Sequence, residues 1–420
     1  MAGENHVKFR ELDVLYDNGQ STAPVGRLAA TSAATIFEYT DAWIARGLEL
    51  SPFDLPNKKL SFHLNPHTSV TSTFGLFADS LPDGWGMLIM DRFFKKKDID
   101  KKDITPLDRL AFLGSHAMGA LRYHPPLEAE QSRLFEAVQI GDIAREAYDL
   151  YEGRIENAGR LLAQVGGSPG GARPKALIGI SNQKDRFISG TGYLPDGFTH
   201  WFVKFSGDAH PHDGVLELIY NLMAKNAGIV VPEHFLITAE NGTHHIATRR
   251  FDRLSGNRRR HSATACGLLH ADYMAPTLDY EVLMNVAWKL TQSAVQVEEQ
   301  FRRAVFNLFA INRDDHAKNH GYVMSDDGRW ELSPAYDLTY SSGPHGEHWT
   351  SYSGEGQNPG ITQLLKVAKV ASIPEKTAHS IIDQVKTAVT AFKRLADEHD
   401  VPVKTSNPIA RHIEEMLAVR

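Results

Sequence analysis

The sequence predicts an α+β chain of two lobes, β-rich in its N-terminal part and helical in its C-terminal part. Short alternating apolar segments bounded by Gly, Asp and Asn prevail up to residue 255, and longer segments of helical periodicity prevail beyond 275. A polar stretch at 312–340, dense in motif residues, interrupts the second region. The 420 residues are too many for one small core. The pattern divides them into a first subdomain at 1–127, a β-rich part with a glycine-rich loop at 128–255, and a helical lobe at 256–420.

In chain order, residues 7–16 read as a strand closed by the hairpin signal Asp17-Asn18-Gly19. Leu81-Pro82-Asp83-Gly84 leads into the apolar run 87–94, and the mixed charges of 95–103 read as a solvated helix end or loop. Helical spacing of Leu134, Val138, Ile143, Tyr148, Tyr151 and Leu161 marks a bridging segment at 128–165. The span 166–255 is strand-rich, with one helix at 213–227 stopped by Gly228. Segments 321–324 and 329–332 form a hairpin about Ser325-Asp326-Asp327-Gly328.

Composition sets limits. Hydrophobic residues make up 42% and charged residues 23%, and the mean hydropathy is −0.32, as in ordinary soluble globular proteins. A net charge of −6 argues against a chain-wide nucleic-acid surface. One cysteine, Cys266, excludes an intramolecular disulfide and a cysteine-built zinc site, which favours a reducing cytoplasm. With no signal-like N-terminus and no run of 18 apolar residues, a cytoplasmic location without a membrane is expected. His345-Gly346-Glu347-His348 lacks the helical His-Glu-x-x-His order of a zinc site and reads as a polar surface loop.

The chemistry concentrates in Asn312-Arg313-Asp314-Asp315-His316-Ala317-Lys318-Asn319-His320 and Leu332-Ser333-Pro334-Ala335-Tyr336-Asp337-Leu338. Arg-Asp, an asparagine five residues on and a later aspartate are the catalytic-loop and metal layout of protein kinases. A phosphoryl group in flight spreads negative charge over its oxygens, and Asn319 and Asp337 would supply oxygens to a divalent metal that offsets it. The hairpin at 321–332 returns Asp337 toward Asn319. The fold class thereby narrows to a bilobal, protein-kinase-like one.

Upstream, Val165-Gly166-Gly167-Ser168-Pro169-Gly170-Gly171-Ala172-Arg173-Pro174-Lys175 is a glycine-rich turn whose backbone N–H groups could approach phosphates. It matches neither a Walker A loop nor Gly-x-Gly-x-x-Gly, and a plain surface hairpin is the alternative. Lys204, in Trp201-Phe202-Val203-Lys204-Phe205, sits as the phosphate-gripping strand lysine of kinases does, with Glu217 on the next helix as its counter-charge. Strand 244–253 leaves the β-rich half as a hinge would. Its Arg249, Arg250 and Arg253, with Arg258, Arg259 and Arg260, could instead form a patch for an acidic partner or nucleic acid.

Together these motifs, with Leu81-Pro82-Asp83-Gly84, Phe112-Leu113-Gly114-Ser115-His116-Ala117-Met118-Gly119-Ala120-Leu121 and Arg250-Phe251-Asp252-Arg253, resemble the HipA family of serine/threonine kinase toxins over nearly the whole chain. The resemblance implies ATP and Mg²⁺ as cofactors, Asp314 as base or hydroxyl orienter, and His316 and Lys318 lining the catalytic loop. It implies Asn319 and Asp337 on magnesium, Gly170, Gly171, Ala172, Lys204 and Glu217 about the phosphates, and main-chain groups of Arg249 and Phe251 on adenine. Ser168 takes the position of an autophosphorylated serine. Implied partners are a HipB-like helix-turn-helix antitoxin, DNA only through that antitoxin, and a translation protein such as an aminoacyl-tRNA synthetase as substrate. A small-molecule kinase and a catalytically silent co-repressor are the alternatives. Two departures stand out: Ala172-Arg173-Pro174-Lys175 in the loop, and Asp315, an extra carboxylate that would bind a second ion or cap a turn.

Overall fold

The computed structural model describes residues 8–67, 69–127, 137–155, 171, 173–190 and 192–419. Its first sheet is antiparallel, of β1 (Glu11–Asp17), β2 (Thr22–Ala30), β3 (Thr35–Tyr39), β4 (Ser61–Leu64) and β5 (Leu121–His124) in the order β4-β3-β2-β1-β5. Strand alternation turns Leu12, Val14 and Tyr16 of β1 inward. Of the strand predicted at 7–16, β1 takes up Glu11 onward, Glu11 pairing with Ala29 and Arg10 O accepting the Ala30 N–H, while residue 7 lies outside the described residues. The helix Gly84–Lys96 follows, then Pro106–Leu113, whose start is fixed by a capping box between Thr105 and Asp108.

The second sheet contains β6 (Lys175–Ser181), β7 (Phe187–Ser189), β8 (Phe198–Lys204), β9 (His234–Thr238) and β10 (His244–Arg249), ordered β7-β6-β8-β10-β9. The helix Asp213–Asn226 lies between β8 and β9 in the chain, and Gly228, at φ +83°, turns the chain out of it. The helix Ile140–Tyr151 packs Ile143, Ala147 and Leu150 with Ile178, Ile180, Trp201 and Val203 of this sheet. Trp85 and Ile89 of the Gly84–Lys96 helix join the same core, so the first subdomain sends a helix into the second sheet. Of the bridging segment predicted at 128–165, only part lies within the described residues; Leu134 and Leu161 lie outside them.

The C-terminal region holds β11 (His261–Thr264), β12 (Leu278–Asp279), β13 (Gly321–Met324), β14 (Trp330–Leu332) and β15 (Thr350–Ser351), paired as β11-β13-β14 and β12-β15. Around them stand the helices Tyr280–Thr291, Ala294–Phe309, Ile361–Val370, Glu375–Val389, Phe392–Glu398 and Val403–Leu417. One continuous apolar core links Val14 and Phe37 of the first sheet, Ile219 and Met223 of the Asp213–Asn226 helix, and Phe301, Val305, Ile381 and Val385 of the helical lobe. The architecture is thus sheet-rich in its N-terminal part and helical in its C-terminal part. Among the described residues no helix is long and apolar enough to cross a membrane.

Candidate active site

Lys204 closes β8. The alternation that buries Val203 turns Lys204 to the other face, toward the Asp213–Asn226 helix, where Glu217 lies one turn in and is buried. Lys204 Nζ donates to Glu217 Oε1 at 2.7 Å and to Asp337 Oδ1 at 2.5 Å. Burial pulls the amine's pKa down, but the two carboxylates outweigh it and the net shift is upward. For Asp337 burial raises the carboxyl, and the Lys204 and Lys175 ammonium groups overcome that and hold it below the usual range. Glu217 is raised by its burial.

Asp337 arrives through the β13-β14 hairpin, whose turn is closed by Gly328 at φ +85° with its N–H on Ser325 O. β14 starts at Trp330, one residue later than the sequence pattern places it. Asp337 itself takes the left-handed conformation, φ +58°. On the facing loop the short 3-10 turn Ala317–Asn319 is begun by His316, whose Nδ1 accepts the Lys318 N–H at 3.2 Å. Asn319 Nδ2 donates to Asp314 O at 2.6 Å, which presents the amide oxygen as the side chain's remaining polar atom. His316 Nε2 is 3.8 Å from Asp314 Oδ1. Partial desolvation raises the Asp314 carboxyl, and the charge of Asp337 adds to the rise. Tyr336 ties the two loops by donating to Lys318 O at 2.5 Å, and its ring stacks on Phe251 at 5.7 Å.

Sequence reasoning passed over two side chains here. Lys175 opens β6 in register with Lys204, is 4% exposed, and has its pKa drawn down to about 8 chiefly by burial. Gly171, at φ +105°, holds a conformation that favours glycine, and a Cβ there would meet Lys175 Nζ. A lysine at the mouth of an all-apolar strand was the available signal. Asp83 reaches Lys318 Nζ at 3.4 Å and accepts the Gly171 N–H.

Three expectations are corrected. Asp315 neither faces a metal nor caps a turn: it is 1% exposed, with Oδ2 accepting from Tyr280 Oη at 2.8 Å and His348 Nδ1 at 2.9 Å, and Oδ1 accepting from the Trp349 and Thr350 amides. His348 is therefore buried in that pairing rather than part of a polar surface loop. The arginines form no open basic patch. Arg250 and Arg253 converge on the buried Asp252, which also accepts the Gly119 N–H, while Arg259 reaches Asp17 Oδ2 and the carbonyls of Ser115, Ala117 and Gly119. Of the others, Arg249 pairs with Glu233, Arg258 with Asp326 and Arg260 with Glu331. This clamp joins the 112–121 motif to the chain leaving β10.

The Arg249 amide is already engaged by Glu233 O at 2.8 Å. Ser168, Gly170 and Ala172 lie outside the described residues. Among the described residues no cluster of three or more His, Cys, Asp or Glu could hold a metal ion.

Comparison with known proteins matches residues 12–124 to the HipA N-terminal domain and residues 167–392 to the HipA-like C-terminal domain. The fold is that of the HipA of Shewanella oneidensis MR-1, solved as a toxin-antitoxin complex with HipB and operator DNA: TM-score 0.72, 19% identity, 97% of this chain and 95% of that one. The Helicobacter pylori proinflammatory kinase CtkA aligns with a TM-score of 0.32 and 12% identity over 54% of this chain and 92% of its own, too slight a likeness to argue from.

Proposed function

Because the chain belongs to the HipA family, we propose that it is an ATP- and magnesium-dependent protein serine/threonine kinase, the toxin of a toxin-antitoxin pair. The observation that carries this is Lys204, anchored on Glu217 and reaching Asp337, beside a loop that carries Asp314 and Asn319 five residues apart. Lys204, with Lys175 next to it, would grip the phosphates of ATP beside Gly171, and main-chain groups near Phe251 would meet the adenine, the Arg249 amide being engaged by Glu233 O. One carboxylate, Asp337, and one amide oxygen, Asn319, suit a small hard cation that takes its other ligands from water and phosphate. Magnesium there would neutralise charge on the phosphates.

Asp314 orients the acceptor hydroxyl and takes its proton as the hydroxyl oxygen bonds to the γ-phosphorus. The bond from that phosphorus to the β,γ-bridging oxygen breaks and ADP leaves. The upward shift of the Asp314 carboxyl makes it a better proton acceptor than an ordinary aspartate. His316 and Lys318 hold the loop, and Ser168 is an acceptor in cis. A HipB-like antitoxin would bind the chain and carry it to DNA, and the substrate in trans would be a translation protein such as an aminoacyl-tRNA synthetase.

The test is incubation of purified protein with labelled ATP and magnesium, alone and with cell lysate. Label on Ser168 and on few lysate proteins, lost in Asp314→Asn, is expected. An unlabelled wild-type protein and lysate would remove the kinase reading. Growth arrest by the Asp314→Asn variant as strong as by wild type would favour a silent binding partner.

A further inference from the structure

We propose that Asp83, from the first subdomain, is a positioning residue of the phosphotransfer site that ties Gly171 at the end of the glycine-rich loop to Lys318 of the catalytic loop. This rests on the kinase reading above. Asp83 stands at the N-cap of the helix Gly84–Lys96, where an aspartate ordinarily accepts from the amides of its own helix. It makes no such bond. One carboxylate oxygen accepts the Gly171 N–H, and the other lies 3.4 Å from Lys318 Nζ. The pair is enclosed, with side-chain exposures of 9% for Asp83 and 13% for Lys318.

Neighbouring contacts make the link specific. Trp85 donates its N–H to Gly171 O at 3.1 Å and its indole N–H to Lys175 O at 2.8 Å, so amide and carbonyl of Gly171 are both held by the start of one helix. Lys318 Nζ lies 4.2 Å from the centre of the Tyr273 ring. The nearby Asp79 has both oxygens occupied by Thr264, through the hydroxyl and the amide at 2.6 Å each, which leaves Asp83 as the anion that Lys318 pairs with. Lys318 precedes Asn319 in the turn Ala317–Asn319. A shift of Lys318 therefore moves Asn319, and a shift of Gly171 moves the backbone beside Lys175. Asp83 holds both in one register. At 3.4 Å the ammonium and the carboxylate attract each other with little water to screen them, because both are enclosed.

Two substitutions separate its two bonds. Asp83→Asn keeps an acceptor for Gly171 and removes the charge that Lys318 needs; kcat for phosphoryl transfer should fall roughly ten- to a hundredfold, the scale set by small misplacements of catalytic groups. In a Lys318→Met background Asp83→Asn should have no further effect, since the same link is already broken. Asp83→Ala removes both bonds. Hydrogen exchange should then quicken together at Gly171 and at residues 317–319, while the helix Gly84–Lys96 keeps its protection. An unchanged kcat in Asp83→Asn, additive losses in the double variant, or loss of protection confined to the helix would overturn the proposal. A wild-type protein without transferase activity would sink the kinase reading instead, and the exchange experiment would still decide the tie.

Discussion

Lys175 pairs in register with Lys204 across β6 and β8, and Asp337 is a carboxylate that draws on both amines. Like charges directly opposite on neighbouring strands destabilise a sheet. Here the two enclosed ammonium groups are answered by Asp337 and Glu217.

Asp314→Asn and Asp337→Asn should each lower phosphoryl transfer by a hundredfold or more, on the order of the loss seen when one electrostatic contributor to a transition state is removed. The Asp314 and Asp337 side chains are 46% and 31% exposed, and Lys204 keeps Glu217 when Asp337 is neutralised, so both variants should keep the wild-type circular dichroism spectrum. Single-turnover transfer from labelled ATP measures the loss. Near wild-type turnover in both would refute the assigned roles.

Lys175→Met should stabilise the protein at neutral pH while weakening ATP binding. The folded-state pKa of Lys175, about 8, lies below its ordinary 10.5. Below pH 8 the amine is charged in both states and the fold bears the whole cost of burying it. Between 8 and 10.5 the folded state has lost the proton and the unfolded state keeps it, so stability rises across that window. The cost at neutral pH is about 3 kcal/mol at most. Urea unfolding of the two proteins from pH 7 to 10.5 should show curves that converge with rising pH; parallel curves would contradict the assignment.

Asp252→Asn should destabilise the chain by about 3 to 5 kcal/mol, since it leaves Arg250 and Arg253 buried without their carboxylate. Burial raises the Asp252 carboxyl, and the two arginines more than reverse this and hold it below the usual range. Its contribution is therefore present above the unfolded value of about 3.9 and is lost as pH falls below it. Acid unfolding of wild type should consequently be steeper than that of the variant, as followed by tryptophan fluorescence.

Asp315→Asn should cost more stability than Asp314→Asn, although the two residues are adjacent. Asp315 is buried and bonded to Tyr280, His348 and two amides, whereas the Asp314 side chain is 46% exposed. Breaking a buried pair at one end costs about 3 to 5 kcal/mol. Thermal melts of the two variants make the comparison, and equal melting temperatures would count against the buried pairing.

The contacts of the candidate site that were legible join residues whose faces are fixed within short stretches. Asp314 and Asn319 are joined through the Asp314 carbonyl, and the Asp-Gly turn before β14 could be read from its own residues. Lys204 and Glu217 were legible for a similar reason, since strand alternation and helical phase each fix a face. Asp315 was misread because sequence shows a carboxylate without showing which way the turn aims it. The arginines of 249–260 were open to a surface reading because charge in a sequence carries no record of burial.

The sequence by itself determined the two-lobed α+β character, which rests on local periodicity, and the family, through the motifs that resemble it. Tertiary structure alone decided that Asp83 meets Lys318, 235 positions away, that Lys175 faces Lys204, and that Asp252 clamps Gly119. The reason is physical. These contacts form where packing of the first subdomain against both lobes excludes water, and a charge takes a distant partner there because burying it alone would cost more than any local pattern records.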